Sequence, residues 1–331
     1  MVFLYLRKMN NNIIKKVERD DNLMNRLFLL FIKNGYHSVK VNRIAKYVYS
    51  IMQNEKNLLI VKVYKNYNEA KRVSTIYKKL STQLFQYTIY PISLFNHEEI
   101  VDLTNYYALI FPFLNNGHVP DFSKESSCKM ATKTVFLLHS SLLKMPDLKM
   151  IAYPINVEHK WNKRISLFWE MRDCIRYFIG KNRYDEILAL STFILDLKKL
   201  EQPNESIDLL HGDLVPHNFL QLGSKCFIID LDNLSQGPIS YEYSVLGQHI
   251  LNENNWKTNV LFKLEPFTQL RNDKFFWRCM LFPNDLLREW EHLWRNHEAN
   301  KKDAVEKLIQ YTIQSLKERN EFVEFGKNMV I

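Results

Sequence analysis

Three oxygen-bearing side chains stand close together in the stretch from Leu209 to Asp232, LLHGDLVPHNFLQLGSKCFIIDLD. Asp213 and Asn218 are five residues apart, and Asp230 follows twelve after Asn218. A carboxylate, an amide and a second carboxylate in that order suit one kind of chemistry. The first accepts the proton of an attacking hydroxyl. The amide and the second carboxylate hold Mg²⁺ against a chain of phosphates. The interval before Asp230 is long enough for one tight hairpin, which would bring it back to the end where Asp213 and Asn218 lie.

The residues between them supply that hairpin. Leu209 and Leu210 end an apolar run, His211-Gly212-Asp213 opens a loop, and Pro216 pre-sets φ inside it. Asn218-Phe219-Leu220 starts one strand. Gln221 to Ser224 turns, with Gly223 free to take positive φ, and Cys226-Phe227-Ile228-Ile229 forms the second strand. The competing interpretation is a plain hairpin whose polar residues happen to line its ends. H-x-D-x-x-x-x-N is a weak signal by itself; apolar strands on both sides and the terminal IIDLD make it specific.

HGDLVPHN followed by IIDLD resembles the aminoglycoside phosphotransferase and choline kinase superfamily, the small-molecule branch of the kinase-like fold. The resemblance implies an α+β, bilobal architecture. A small, mainly antiparallel β N-lobe would span residues 1–112, and a larger helical C-lobe residues 113–331, with the catalytic hairpin at 209–232. It implies ATP and Mg²⁺ as cofactors and transfer of the γ-phosphate to a hydroxyl of a small molecule. Asp213 would be the catalytic base, and Asn218 and Asp230 the metal ligands.

Several positions depart from protein kinases. Val215 stands where Ser/Thr protein kinases carry a lysine, Leu231-Asp232 replaces Phe-Gly after the metal-binding aspartate, and no A-P-E segment follows. His217 occupies a site where the superfamily usually has a small residue, and it can reshape the substrate side of the loop. Glu242 is the nearest acid to where the family has an aspartate bracing the catalytic loop. The segment RCMLFPNDLLREW resembles the spore-coat-associated branch. That segment makes the spore coat the alternative location; the lack of an apolar span and of a signal-peptide core gives a cytoplasmic protein as the expectation. A second function stays open: a pseudokinase or coat component that keeps the fold as a binding module. Against it, every catalytic and metal position carries a competent side chain.

These residues need a frame. Asn11 to Lys33 has apolar residues at helical spacing and a stop at Asn34-Gly35. Ser38 to Tyr64 reads as a three-stranded meander rich in β-branched and aromatic types. Its first turn has no G-x-G-x-x-G, and His37 to Arg43 contains no glycine, so fewer backbone amides would reach the phosphates. Lys40, Asn42 and Arg43 are side-chain substitutes. Lys62, in LLIVKVY, would contact the α/β-phosphates; alternatively it points outward from an alternating edge strand. Asn66 to Leu84 is a helix with Asn66 or Asn68 as cap. Its Glu69 would pair with Lys62, as in the family, or simply serve the helix dipole. Strands are expected at Tyr90–Leu94 and Tyr106–Phe111. The run Phe111-Pro112-Phe113 before Asn115-Asn116-Gly117 resembles the hinge, which would put the main chain of Phe111 and Phe113 at the adenine. Helices are expected over Ser126–Leu143, Trp161–Phe178 and Tyr184–Leu200, from the Gly237–Tyr243 run, over Phe275–His292 with a break at Pro283, and over Ala304–Phe325. His139, in FLLH, is expected to be a packed structural histidine.

Composition excludes other classes. Hydrophobic residues make up 46% and charged residues 24% of the 331-residue chain, as in a globular protein with a sizeable core. The four cysteines form no C-x-x-C pair, which argues against a zinc site or a disulfide framework. No apolar run approaches the ~20 residues of a membrane span, and no signal-peptide core is expected. The net charge of +9 lies wholly in residues 1–110, with 17 basic against 8 acidic side chains; the remainder holds 28 of each. That basic third suits a nucleotide-steering lobe. Without a dense basic run or a nucleic-acid motif, a nucleic-acid partner is disfavoured. Residues 251–331 hold 13 basic and 12 acidic side chains, so the acidic surface suited to polycationic aminoglycosides is not evident.

Overall fold

The structure is a computed structural model that describes residues 22–95, 98–197, 207–295 and 302–330. The chain divides into two compact units, with the division between Gly117 and His118. The fold is α+β, with an antiparallel sheet in the first unit and a larger, mainly helical second unit.

In the first unit, α1 (described over residues 22–33) precedes β1 (Val39–Ala45), β2 (Val48–Gln53), β3 (Lys56–Tyr64), α2 (Tyr67–Thr82), β4 (Val101–Asp102) and β5 (Tyr107–Pro112). The strands form one antiparallel sheet in the order β1-β2-β3-β5-β4. α1 ends where expected: Gly35 takes φ +84° and its N–H caps Ile32. The part of the expected first helix before residue 22 lies outside the described residues.

Strand alternation sorts β3 into two faces. Leu59, Val61 and Val63 join Leu23, Leu27 and Phe31 of α1 in the core. Ile60 and Lys62 take the other face together with their cross-strand partners Phe111 and Leu109. α2 covers that second face, and its Tyr77 meets Phe111 edge-on at 5.4 Å. β3 is thus central, between β2 and β5, rather than the edge strand weighed as an alternative for Lys62.

Two sequence expectations fail here. The segment 90–94 does not pair as a strand; it makes a single backbone hydrogen bond to β5, Ile92 N–H to Ile110 O at 2.8 Å. Pro91 cannot donate to a ladder, which is reason enough. The first meander turn is also later than expected. β1 runs on through Arg43 to Ala45, which pairs with Val48, so the turn is the two residues Lys46-Tyr47.

The second unit contains α3 (Glu125–Leu142), β6 (Tyr153–Pro154), α4 (Val157–Glu170), α5 (Arg172–Ile179), α6 (Lys181–Asp196), β7 (Asp208–Leu210), β8 (Phe219–Leu222), β9 (Lys225–Ile228), β10 (Ser235–Gly237), α7 (Ile239–Asn252), α8 (Thr258–Leu261), α9 (Lys274–Leu281), α10 (Asn284–Arg295) and α11 (Lys302–Val330). The helix expected over Trp161–Phe178 is two, divided at Met171, and begins earlier because Asn156 caps the His159 N–H at 2.8 Å. Residues 198–200 of the next expected helix lie outside the described residues. The break at Pro283 separates α9 from α10 as expected.

β8 and β9 form the expected hairpin, with Leu222 opposite Lys225 and Gly223 at φ +57°. Its outer edge pairs with His118, which exchanges both backbone hydrogen bonds with Gln221 at 2.7 and 3.1 Å. Thr134 of buried α3 donates to the Cys226 carbonyl at 2.9 Å, and Phe122 packs edge-on against Phe219. The hairpin therefore rests on a fixed base.

Candidate active site

The loop from His211 to Asn218 is held from four sides. Glu242, the first acid of α7, is buried and accepts three hydrogen bonds: from His211 N–H at 2.9 Å, Gly212 N–H at 2.6 Å and His139 Nε2 at 2.6 Å. Burial pushes its carboxyl up, but the His139 hydrogen bond and charge, then His211 and the Gly212 N–H, outweigh that and hold it below its ordinary value. His139 is fixed in turn by Tyr243, whose hydroxyl lies 3.1 Å from Nδ1 and whose ring meets the imidazole edge-on. Burial, then the charge of Glu242, pushes the Tyr243 phenol up, so it keeps its proton and can donate to Nδ1.

His211 joins the loop to the second strand. Its Nε2 lies 2.9 Å from the Ile229 carbonyl, and its Nδ1 accepts from the Asp213 N–H at 3.3 Å. One proton on Nε2 satisfies both contacts. Gly212 takes φ +87°, and a Cβ there would meet the Asn233 carbonyl oxygen at 2.0 Å. The HGD turn thus lies directly on the backbone that follows Asp232, and only glycine fits.

This frame brings Asp213 and Asn218 into contact. Asn218 is buried, and its Nδ2 donates to the Asp213 carbonyl at 2.9 Å and to Asp213 Oδ2 at 3.3 Å. With the amide nitrogen so directed, the amide oxygen is the group left to accept or to coordinate. Asn218 also passes its carbonyl to the Ile229 N–H at 2.9 Å, one residue before Asp230. Asp230 itself is left-handed, at φ +66° and ψ +63°. An aspartate tolerates that region better than most residues, and such a conformation persists where the surroundings impose it. An amide oxygen plus a carboxylate is a hard, oxygen-only donor set, and two such groups with phosphates and water satisfy Mg²⁺. The residues fit the ion.

The residues expected to bind the nucleotide belong to the first unit. Lys62 is half-buried on the α2-covered face of the sheet. Glu69 is exposed in the first turn of α2, where its backbone N–H donates to the Asn66 cap at 2.9 Å. Phe111 is buried in β5 opposite Ile60. The Phe113 N–H already donates to the Leu58 carbonyl at 3.0 Å, so its carbonyl is the main-chain group it could offer. Of the side-chain substitutes proposed for the missing glycine loop, Asn42 points its amide at Met52 Sδ. The turn residue is Tyr47, at φ +63°, with Lys46 and Lys65 at 5.5 and 5.9 Å from its ring centroid.

Known protein-family models give no match to this chain, and neither do curated protein sequences. Solved structures do. An aminoglycoside phosphotransferase from Alicyclobacillus acidocaldarius superposes with a TM-score of 0.67 at 14% identity, covering 90% of this chain and 95% of that one. The fold is kinase-like. Spectinomycin phosphotransferase APH(9)-Ia, in complex with ADP and spectinomycin, gives 0.63 at 16% identity over 89% and 93%. A choline/ethanolamine kinase family protein from Mesorhizobium loti gives 0.55 at 12% identity over 89% and 93%. At these identities the likeness establishes the kinase-like architecture. Among the described residues, no helix is long and apolar enough to cross a membrane.

Glu242 was legible as the acid nearest the family's loop-bracing aspartate and His139 as a packed histidine, and the structure bears both out; what escaped the sequence was their contact with each other. They are 103 positions apart, and no local spacing links them. The Lys46-Tyr47 turn was missed because Asn42 and Arg43 look like turn residues, whereas the ladder carries them inside β1.

Proposed function

We propose that this protein is a phosphotransferase that uses ATP and Mg²⁺ to phosphorylate a hydroxyl of a small molecule. The observation that carries the reading is the Asp213–Asn218 contact inside a loop clamped by the buried Glu242 carboxylate. Such a clamp is what pre-organised chemistry requires and what a decorative hairpin does not. Asp213 would orient the acceptor hydroxyl and take its proton. Asn218 Oδ1 and the Asp230 carboxylate would hold Mg²⁺, which when bound neutralises phosphate charge. Lys62 would bind the nucleotide phosphates with Glu69 as its partner, and the main chain of Phe111 and Phe113 would meet the base. Asn218 Nδ2 keeps the Asp213 carboxylate facing one direction, so its other lone pairs are presented to the acceptor. Nucleotide binding by proteins of similar fold, as in the ADP complex of spectinomycin phosphotransferase, supports the nucleotide assignment.

The test is thermal unfolding with and without Mg²⁺ plus ATP, on the wild type and on Asp230→Ala. A ligand at 100 times its Kd adds about 2.7 kcal/mol, or very roughly 5–10 °C at this size. A Mg²⁺-dependent rise that Asp230→Ala abolishes is expected. No rise at millimolar ATP would favour a binding module that keeps the fold, for which the glycine-free Lys46-Tyr47 turn is the supporting feature.

A further inference from the structure

α4 carries Lys160 and Arg164 one helical turn apart, on one face. Both reach toward the neighbourhood of the catalytic loop. Lys160 Nζ lies 3.0 Å from the Tyr241 hydroxyl and 5.6 Å from its ring centroid. Tyr241 immediately precedes Glu242, whose carboxylate holds the HGD turn. Arg164 donates from Nη1 to Asn284 Oδ1 on α10, and its Nε faces Glu291 at 3.7 Å. The Asp213 carboxylate is within electrostatic reach of the same guanidinium.

The charges around this face are uneven. Glu291 is held more closely by Arg295, at 2.8 Å, than by Arg164. Glu289 is taken by Arg288 at 2.8 Å, Asp285 by Arg319, and Glu158 faces Arg278 at 3.5 Å. The local carboxylates are therefore matched by other arginines. Lys160 contacts a phenol, and Arg164, only 12% exposed, contacts a neutral amide and a carboxylate that it shares with the nearer Arg295. Taking a guanidinium this far from water is costly unless an anion meets it. Burial pulls the Arg164 pKa below its ordinary value and Arg288 adds to the fall, while Tyr241, Glu291 and Asp213 oppose it without offsetting it. A polycation brought to Asp213 along this face would be repelled.

We propose that the acceptor carries an oxyanion, a carboxylate or a phosphate, beside its reacting hydroxyl, and that Lys160 and Arg164 bind that group. This rests on the phosphotransferase reading above. A guanidinium and an ammonium about one turn apart suit an oxyanion, the first as a fork and the second as a point charge. The substrate class is then hydroxy acids or phosphorylated alcohols, and neither neutral sugars nor aminoglycosides.

The experiment is calorimetric titration of the full chain with glycerol 3-phosphate, glycerate, glycerol and kanamycin. The first two share glycerol's hydroxyls and differ in the anion, so they separate phosphate from carboxylate as its source. One or both should bind at least tenfold tighter than glycerol or kanamycin. Lys160→Gln and Arg164→Gln should each weaken that binding by roughly 10- to 100-fold, the range for a charge-assisted hydrogen bond. Lys160 is half-buried and on the surface of α4, so its variant keeps the test readable if Arg164→Gln unfolds. The proposal is overturned if neither anion binds at millimolar concentration or if glycerol or kanamycin binds as well. It is overturned equally if the anions are lost in Lys62→Met but unaffected by Lys160→Gln. The Mg²⁺–ATP melting shift is recorded on the same samples. Its absence with anion binding intact removes the kinase reading and leaves the oxyanion site.

Discussion

The His211–Asn218 loop of the second unit and the Lys46-Tyr47 turn of the first are built on opposite plans. The loop is tied by side chains from two distant elements, Glu242 of α7 and, through it, His139 of α3, and by its own His211. The turn is held by the register of two strands, with a left-handed tyrosine and no glycine at its tip. A network in which each member satisfies another is stiff and fails when one member is lost. A turn held by ladder hydrogen bonds outside it tolerates change at its tip. The chain thus concentrates its precision where a proton would be moved, and leaves the Lys46-Tyr47 turn to generic strand geometry.

The largest effect should come from the loop's reactive group. Asp213→Asn keeps the shape and removes the base, so phosphoryl transfer should fall by roughly 10²- to 10⁴-fold with a nearly unchanged melting temperature and Mg²⁺–ATP shift. An active variant would sink the base assignment and the comparison with it. Glu242→Ala should come next, on stability. It leaves two buried donors and one part-buried donor unpaired, which predicts a loss of about 3–5 kcal/mol, measured by urea unfolding. Gly212→Ala should cost at least about 2 kcal/mol, because its Cβ would overlap the Asn233 carbonyl and φ is +87°.

The pH profile sharpens the same contrast. His249, half-buried on α7, is pushed down to about 4, first by burial, then by the charge of Arg288, with Asp285 opposing and His217 adding to the fall. Its folded pKa lies below its unfolded value of about 6.5, so the unfolded chain takes up the proton first. Stability from this group is complete above pH about 6.5 and is lost as pH falls toward 4. Glu242, also held low, adds a loss below its unfolded pKa of about 4.3. His249→Gln should therefore flatten the upper part of the acid limb by on the order of 2–3 kcal/mol, read from unfolding free energies between pH 7 and 4. The smallest effect belongs to the turn. Tyr47→Asn removes the left-handed strain of a bulky residue but also its contacts with Tyr106 and the two lysines. The two should nearly cancel, within about 1 kcal/mol. A collapse of several kcal/mol would erase the distinction drawn between the two regions.

Much of the fold was legible because its signals are local. The β2–β3 and β8–β9 hairpins follow from alternation and turn residues, and the breaks at Gly35 and Pro283 from backbone restriction. The expected strand at Tyr90–Leu94 failed because composition does not say whether a neighbour is free to pair. The helix over Trp161–Phe178 was miscounted because an apolar period survives a break at Met171.

The sequence by itself determined which candidate residues stand together: Asp213, Asn218 and Asp230 on one hairpin, at intervals set by a short loop and a two-residue turn. Covalent connection alone keeps such neighbours together. Only the tertiary structure decided what holds them and what faces them. Glu242 reaches the HGD turn from 30 residues away, His139 reaches Glu242 from 103, and Arg164 meets Asn284 from 120. Those meetings depend on how α3, α4, α7 and α10 pack, and packing is chosen by the summed burial of many apolar side chains rather than by any spacing along the chain.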